Sequence, residues 1–112
     1  MGQCMITRKG TNNNLDYENN AGNNYGSASF TLQGTYKKCL VIVYCAKHRD
    51  ISSPDLSATV SSGTLTLLKS SRPNVSSGYN MVTYANIYKG KNISGKLTIN
   101  GGYGLGYTIV YI

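Results

Sequence analysis

The chain is poor in the residues that most catalytic and metal-binding chemistry needs. Its 112 residues include one histidine, His48, and four acids, Asp16, Glu18, Asp50 and Asp55. Structural zinc sites draw on Cys and His at short fixed spacings, and the chain has no CxxC pair and no histidine cluster. A calcium loop needs more acids than are gathered anywhere here. Carboxylates that act as an acid–base pair must face one site. Asp16 and Glu18 sit in an Asn/Gly tract and Asp50 and Asp55 share one loop, so neither pair is placed for that work. The sequence therefore predicts no catalytic residues, no metal site and no cofactor, and a non-enzymatic role.

Hydrophobic length is scarce as well. The longest apolar run, Cys39 to Ala46, falls far short of the ~20 residues of a membrane-spanning helix, so no membrane insertion is expected. The opening "MGQCMITRKG" lacks the apolar stretch of a secretory signal, which predicts a protein made in the cytoplasm. Ile6 stands where an N-myristoylation pattern wants Ser or Thr. Without a secretory route, Asn74-Val75-Ser76 and Asn92-Ile93-Ser94 read as chance sequons. Cys39 and Cys45 fall on one predicted strand about 20 Å apart, too far to bond each other. They read as small buried apolar residues. A dyad of His48 with Cys45, or His48 oriented by Asp50, is conceivable in "CAKHRD". A thiol on a buried strand is normally inert, however, so His48 reads as a strand-end residue.

What is abundant is glycine, with 13 residues, and tyrosine, with 10, among many Ser, Thr and Asn. Tyr and β-branched residues favour strands, and the recurring Gly, Ser and Asn are poor helix formers. "SASFTLQG" alternates, with Ala28, Phe30 and Leu32 on one face and Ser27, Ser29, Thr31 and Gln33 on the other. "CLVIVYCA" is apolar on both faces and reads as a central strand. "SATVSSGTLTLLKS", "YNMVTYANIYKG", "KNISGKLTIN" and "YTIVYI" supply further strands, the first as a strand pair or one bent strand, broken near Ser61-Ser62-Gly63. "GGYGLGY" contains G-x-G-x-G, but a phosphate loop needs a following helix, so a glycine-rich hairpin is expected. The predicted fold is an all-β antiparallel β-sandwich of about seven to eight strands, jelly-roll or immunoglobulin-like, with a small OB-type barrel as the alternative.

Two regions are expected. Residues 1–26 read as a short strand-like anchor followed by an Asn/Gly-rich linker that buries little of itself. Residues 27–112 read as the β-sandwich domain. The net charge of +7 invites a nucleic-acid or anionic partner. Its cations are dispersed along the chain and mostly flank turns, as a solvated surface requires, so nucleic acid is not the expected partner. Tyrosine gives large contact area with a hydroxyl handle, which suits binding surfaces. The candidate ligand-binding residues are Asn80, Tyr84, Asn86 and Tyr88 on one strand face, with Tyr103 and Tyr107 nearby in sequence. Tyr beside Asn can stack on a sugar and bond its hydroxyls, and a cell-surface glycan is a candidate ligand.

"MGQCMITRKG" also resembles the starts of short proteins from phages and prophages of Gram-positive, Clostridium-like bacteria. The series "CLVIVYCA … SATVSSGTLTLL … NMVTYANIYKG … SGKLTIN … GYTIVYI" is similar to the small β-sandwich modules of tail fibres and other virion appendages. The resemblance implies a structural or receptor-binding part that assembles with other virion subunits as a homo-oligomer, trimeric by preference. It transfers no catalytic residues. It also implies assembly in the host cytoplasm and release by lysis, with Met1 to Arg8 as the anchor and residues 9–26 as a spacer. Free carbohydrate-binding modules and basic nucleic-acid-binding barrels are the competing classes. Steep salt dependence of binding would mark the latter.

Overall fold

The computed structural model describes residues 17–48, 55–71 and 81–112. All of its regular structure is β: β1 (Tyr17–Ala21), β2 (Tyr25–Thr31), β3 (Tyr36–His48), β4 (Ser57–Ser71) and β5 (Met81–Tyr111). Every pairing is antiparallel, and β5 pairs with each of the other four. No helix among the described residues is long and apolar enough to cross a membrane.

A fully extended strand of 31 residues would reach about 100 Å. The longest dimension of the molecule is 49 Å, so β5 has to bend back on itself. Its pairing shows where. Residues 81–93 lie along one edge of β3, from His48↔Met81 to Tyr36↔Ile93. Residues 96–103 then lie between β2 and the start of β4, with Ala28 and Ala58 both opposite Ile99. Residues 103–111 return to the other edge of β3 and also carry β1. β4 stays on β5 throughout, with a register irregularity around Gly63, whose φ of +98° suits a residue without a Cβ. Its first part pairs with residues 97–100 and its second with residues 85–91. The sequence predicted more numerous, shorter strands because serine- and glycine-rich stretches read as breaks. The chain instead carries strand pairing straight through them.

"GGYGLGY" shows the same effect. It is not a hairpin, since it lies inside β5 and its two flanks pair with different strands. The glycines leave room for neighbours. A Cβ at Gly101 would crowd Cys45 and Leu105, and one at Gly102 would strike the Ala46 carbonyl.

The core follows the strand period. Ala28, Phe30 and Leu32 are buried while Ser27, Ser29 and Thr31 are exposed, the split that the alternation predicts. Leu97 and Ile99 are fully buried. On β3, Cys39, Val41, Val43 and Cys45 face the core, and Leu40, Ile42 and Tyr44 lie half-buried on the opposite face. Each fully buried aliphatic side chain of this kind contributes about 1.5–3 kcal/mol.

The segment expected to be linker is in part structural. Tyr17–Ala21 forms an edge strand and β2 begins at Tyr25, so the sheet starts ten residues before Ser27. Glu18 causes this: alone among β1 side chains it points inward, and there it finds three hydrogen-bond donors. The anchor and residues 9–16 lie outside the described residues, as do Cys4 and Asp50.

Candidate functional site

Asn80 lies outside the described residues. Tyr84, Asn86 and Tyr88 do share one face of β5, as their spacing predicts, but that face looks into the core. Residues directly opposite on antiparallel strands share a face. Tyr88 is opposite Val41 and Asn86 opposite Val43, both fully buried. Asn86 is 5% exposed, and its Nδ2 donates to the Leu56 carbonyl at 2.7 Å and to the Tyr88 hydroxyl at 3.2 Å. Tyr107 is 1% exposed and hydrogen-bonded to Glu18. Asn86, Tyr88 and Tyr107 are therefore core residues and form no surface for a ligand. Tyr84 is half-buried, with the Lys47 ammonium 5.2 Å from its ring centroid, within cation–π range. Tyr103 alone of the described candidates is exposed.

Around Glu18 the core holds a polar cluster. Tyr36 donates to Oε1 at 2.7 Å, Tyr107 to Oε2 at 2.5 Å, and the Gln33 backbone N–H to Oε1 at 3.1 Å. Burial raises the pKa of both tyrosines well above the ordinary phenol value, and the hydrogen bond to the Glu18 carboxylate adds to that rise. Both phenols stay protonated as donors, so the cluster pins β1 to the sheet.

Cys39 and Cys45 are buried free thiols. Cys45 Sγ accepts from the Gly102 N–H at 3.4 Å. Among the described residues, no group of three or more His, Cys, Asp or Glu side chains comes together.

The surface feature that sequence reasoning missed is Tyr25. It lies opposite Tyr103, and their ring centroids are 4.4 Å apart with the planes tilted by 39°. Both remain open to solvent, Tyr25 at 51% and Tyr103 at 40%. Tyr103 also pairs with Ala46 across its other edge, where β5 changes partner from β2 to β3. The flanking Asn24 carbonyl accepts from the Gly104 N–H at 3.0 Å, which ties the 22–24 connection to the 102–104 segment. Asn23 and Asn24 are exposed beside the pair. Open space surrounds the Cβ positions of the adjoining Gly26 and Gly104. Placing Tyr25 in an Asn/Gly tract hid it, because nothing local links it to a partner 78 positions away.

The cations, dispersed in sequence, gather in part on the folded surface. Lys38 lies directly opposite Lys91, and Lys89 follows two residues along on the same outward face. Like charges directly opposite each other on a sheet repel.

No family model matches this chain, and no curated protein or solved structure shows a significant match to it, so the exposed tyrosine pair and the lysine face are the features on which a functional reading can stand.

Proposed function

We propose that the protein is a non-enzymatic phage or prophage appendage module that recognises a cell surface. The observation that carries this reading is the exposed Tyr25–Tyr103 pair. Two large aromatic rings kept in solvent on a well-packed β framework suit recognition, since stacked tyrosines offer contact area that is already ordered before binding. In this reading the module assembles with other virion subunits, trimeric by preference, so that a weak contact is multiplied by copy number. It is made in the host cytoplasm and released by lysis. The finer fold proposed is a β-sandwich of jelly-roll type. Its support is the way β5 leaves β3 for β2 and then returns to the other edge of β3, which divides the pairing into a larger group around β3 and a smaller one around residues 96–103. Sequencing the DNA on either side of the gene tests the role. Neighbouring capsid, tail or lysis genes are expected, and neighbours for polysaccharide uptake or nucleic-acid handling would overturn it.

One observation favours a second reading, a basic nucleic-acid-binding barrel. Lys38, Lys89 and Lys91 share an outward face, and the side-chain carboxylates among the described residues are only Glu18, which is buried, and Asp55. Phosphates placed there would relieve the repulsion between lysines. Binding of an oligonucleotide that falls steeply between about 50 and 200 mM salt would establish this reading, and no binding at low salt would remove it.

A further inference from the structure

We propose that the Tyr25–Tyr103 pair is a stacking platform for a neutral glycan. The inference rests on the surface-recognition reading and names the ligand class of its site.

The rings come first. Two phenol rings at 4.4 Å, tilted by 39°, stack against each other and leave part of each ring open to solvent as an aromatic face. The C–H faces of a pyranose ring are apolar while its edges carry hydroxyls, so a sugar matches an aromatic face bordered by polar groups. The pair meets both conditions, since exposed Asn23 and Asn24 adjoin it and each tyrosine adds a hydroxyl. An amide both donates and accepts, as a hydroxyl-bearing ligand requires.

Charge then selects among ligands that stack. Residues 20–27 and 100–108 bring the platform together, and neither segment contains a charged residue, although the chain carries a net charge of +7. Lys47, next to Ala46 in register with Tyr103, is buried, and its ammonium lies over Tyr84. A nucleobase could stack on the same rings, but its backbone phosphates would meet no cation supplied by these segments. The lysine face is built from other strand positions, at Lys38, Lys89 and Lys91. A neutral carbohydrate therefore fits this surface better than a polyanion.

Geometry holds the platform in place. Tyr103 is paired within the sheet on both edges, and the Gly104 to Asn24 bond ties down the neighbouring 22–24 connection. The rings need little ordering on binding.

The test uses the full chain, with affinity electrophoresis in gels containing dextran, mannan or soluble oligomers of β-1,4-linked N-acetylglucosamine. A 20-nucleotide thymidine oligomer serves as the polyanion probe, and intact Gram-positive cells serve as the surface. At least one neutral polymer is expected to retard the protein equally at about 50 and 500 mM salt. Tyr25→Ala and Tyr103→Ala should each weaken retardation by about tenfold, and Tyr25→Phe and Tyr103→Phe should keep it within about threefold. Circular dichroism and urea midpoints establish that the variants fold, as expected for exposed positions. No retardation by any neutral polymer, or retardation that survives both alanine variants, would overturn the inference. Cell binding that persists in both alanine variants would overturn the platform and leave surface recognition standing. Neutral-glycan binding without cell binding would uphold the platform and sink the surface-recognition reading. Salt-sensitive binding of the oligonucleotide alone would replace the inference with the polyanion reading.

Discussion

Tyr107 and Glu18, 89 positions apart in sequence, meet in the core, the phenol donating to the carboxylate Oε2 at 2.5 Å. Tyr36 occupies the other oxygen at 2.7 Å. A hydrogen bond to a charged group is worth about 1.5–3 kcal/mol, more than a neutral pair. Glu18→Gln keeps the shape but presents an amide N–H₂ where one phenol must donate. It should lower unfolding free energy by about 2–3 kcal/mol in urea titration. Tyr107→Phe should cost less, and the double variant should cost less than the sum of the two. Strict additivity would mean the contact contributes nothing.

Raised pKa values at Tyr36 and Tyr107 make stability pH-dependent on the alkaline side. Below pH ~10 both phenols are protonated whether the chain is folded or not. Above it the unfolded chain releases those protons and the folded chain holds them, so unfolding becomes favoured as pH rises. The urea midpoint should fall from pH ~10 upward, and Tyr36→Phe with Tyr107→Phe should flatten that fall. An unchanged slope in the double variant would refute the assignment.

Burial pushes the Cys39 thiol up to about 11, with the Gly90 backbone hydrogen bond partly opposing the rise. At pH 8 little thiolate exists, and the sulfur is enclosed. Cys39 should resist iodoacetamide in the native protein and react promptly in about 6 M urea. Peptide mapping by mass spectrometry distinguishes it from Cys45. Native labelling of Cys39 as fast as in urea would show that the core opens readily.

Asn86 holds the segment before β4 by donating to the Leu56 carbonyl. Asn86→Ala leaves that carbonyl unsatisfied in the core and should destabilise by about 1–3 kcal/mol. Retardation by a neutral polymer should stay unchanged in the folded variant. Selective loss of binding with full stability would return Asn86 to the ligand site.

Gly102 packs against backbone, which cannot rotate aside as a side chain can. Gly102→Ala should cost about 1–3 kcal/mol through contact with the Ala46 carbonyl and the Lys47 side chain. A neutral effect on the thermal midpoint would mean that β3 and β5 separate there at little cost.

Strand class was readable wherever burial follows a period of two within one strand. "SASFTLQG" and "KLTIN" show it, since the alternation of Ala28, Phe30 and Leu32, and of Leu97 and Ile99, needs no knowledge of the partner strand. The binding face was misread for the complementary reason. Tyr84, Asn86 and Tyr88 alternate with residues that are also partly apolar, so the pattern marked a shared face without saying which way it looks.

The sequence by itself determined the β class and the shared faces, because these follow from residue type and local spacing. Only the tertiary structure decided that Asn86 and Tyr107 go inside, that Glu18 turns an expected spacer into an edge strand, and that Tyr25 meets Tyr103 at the surface. The physical reason is register. A strand's partner and inward face are set by where β5 bends and what it pairs with, and pairing between positions such as 25 and 103 leaves no trace in either local stretch.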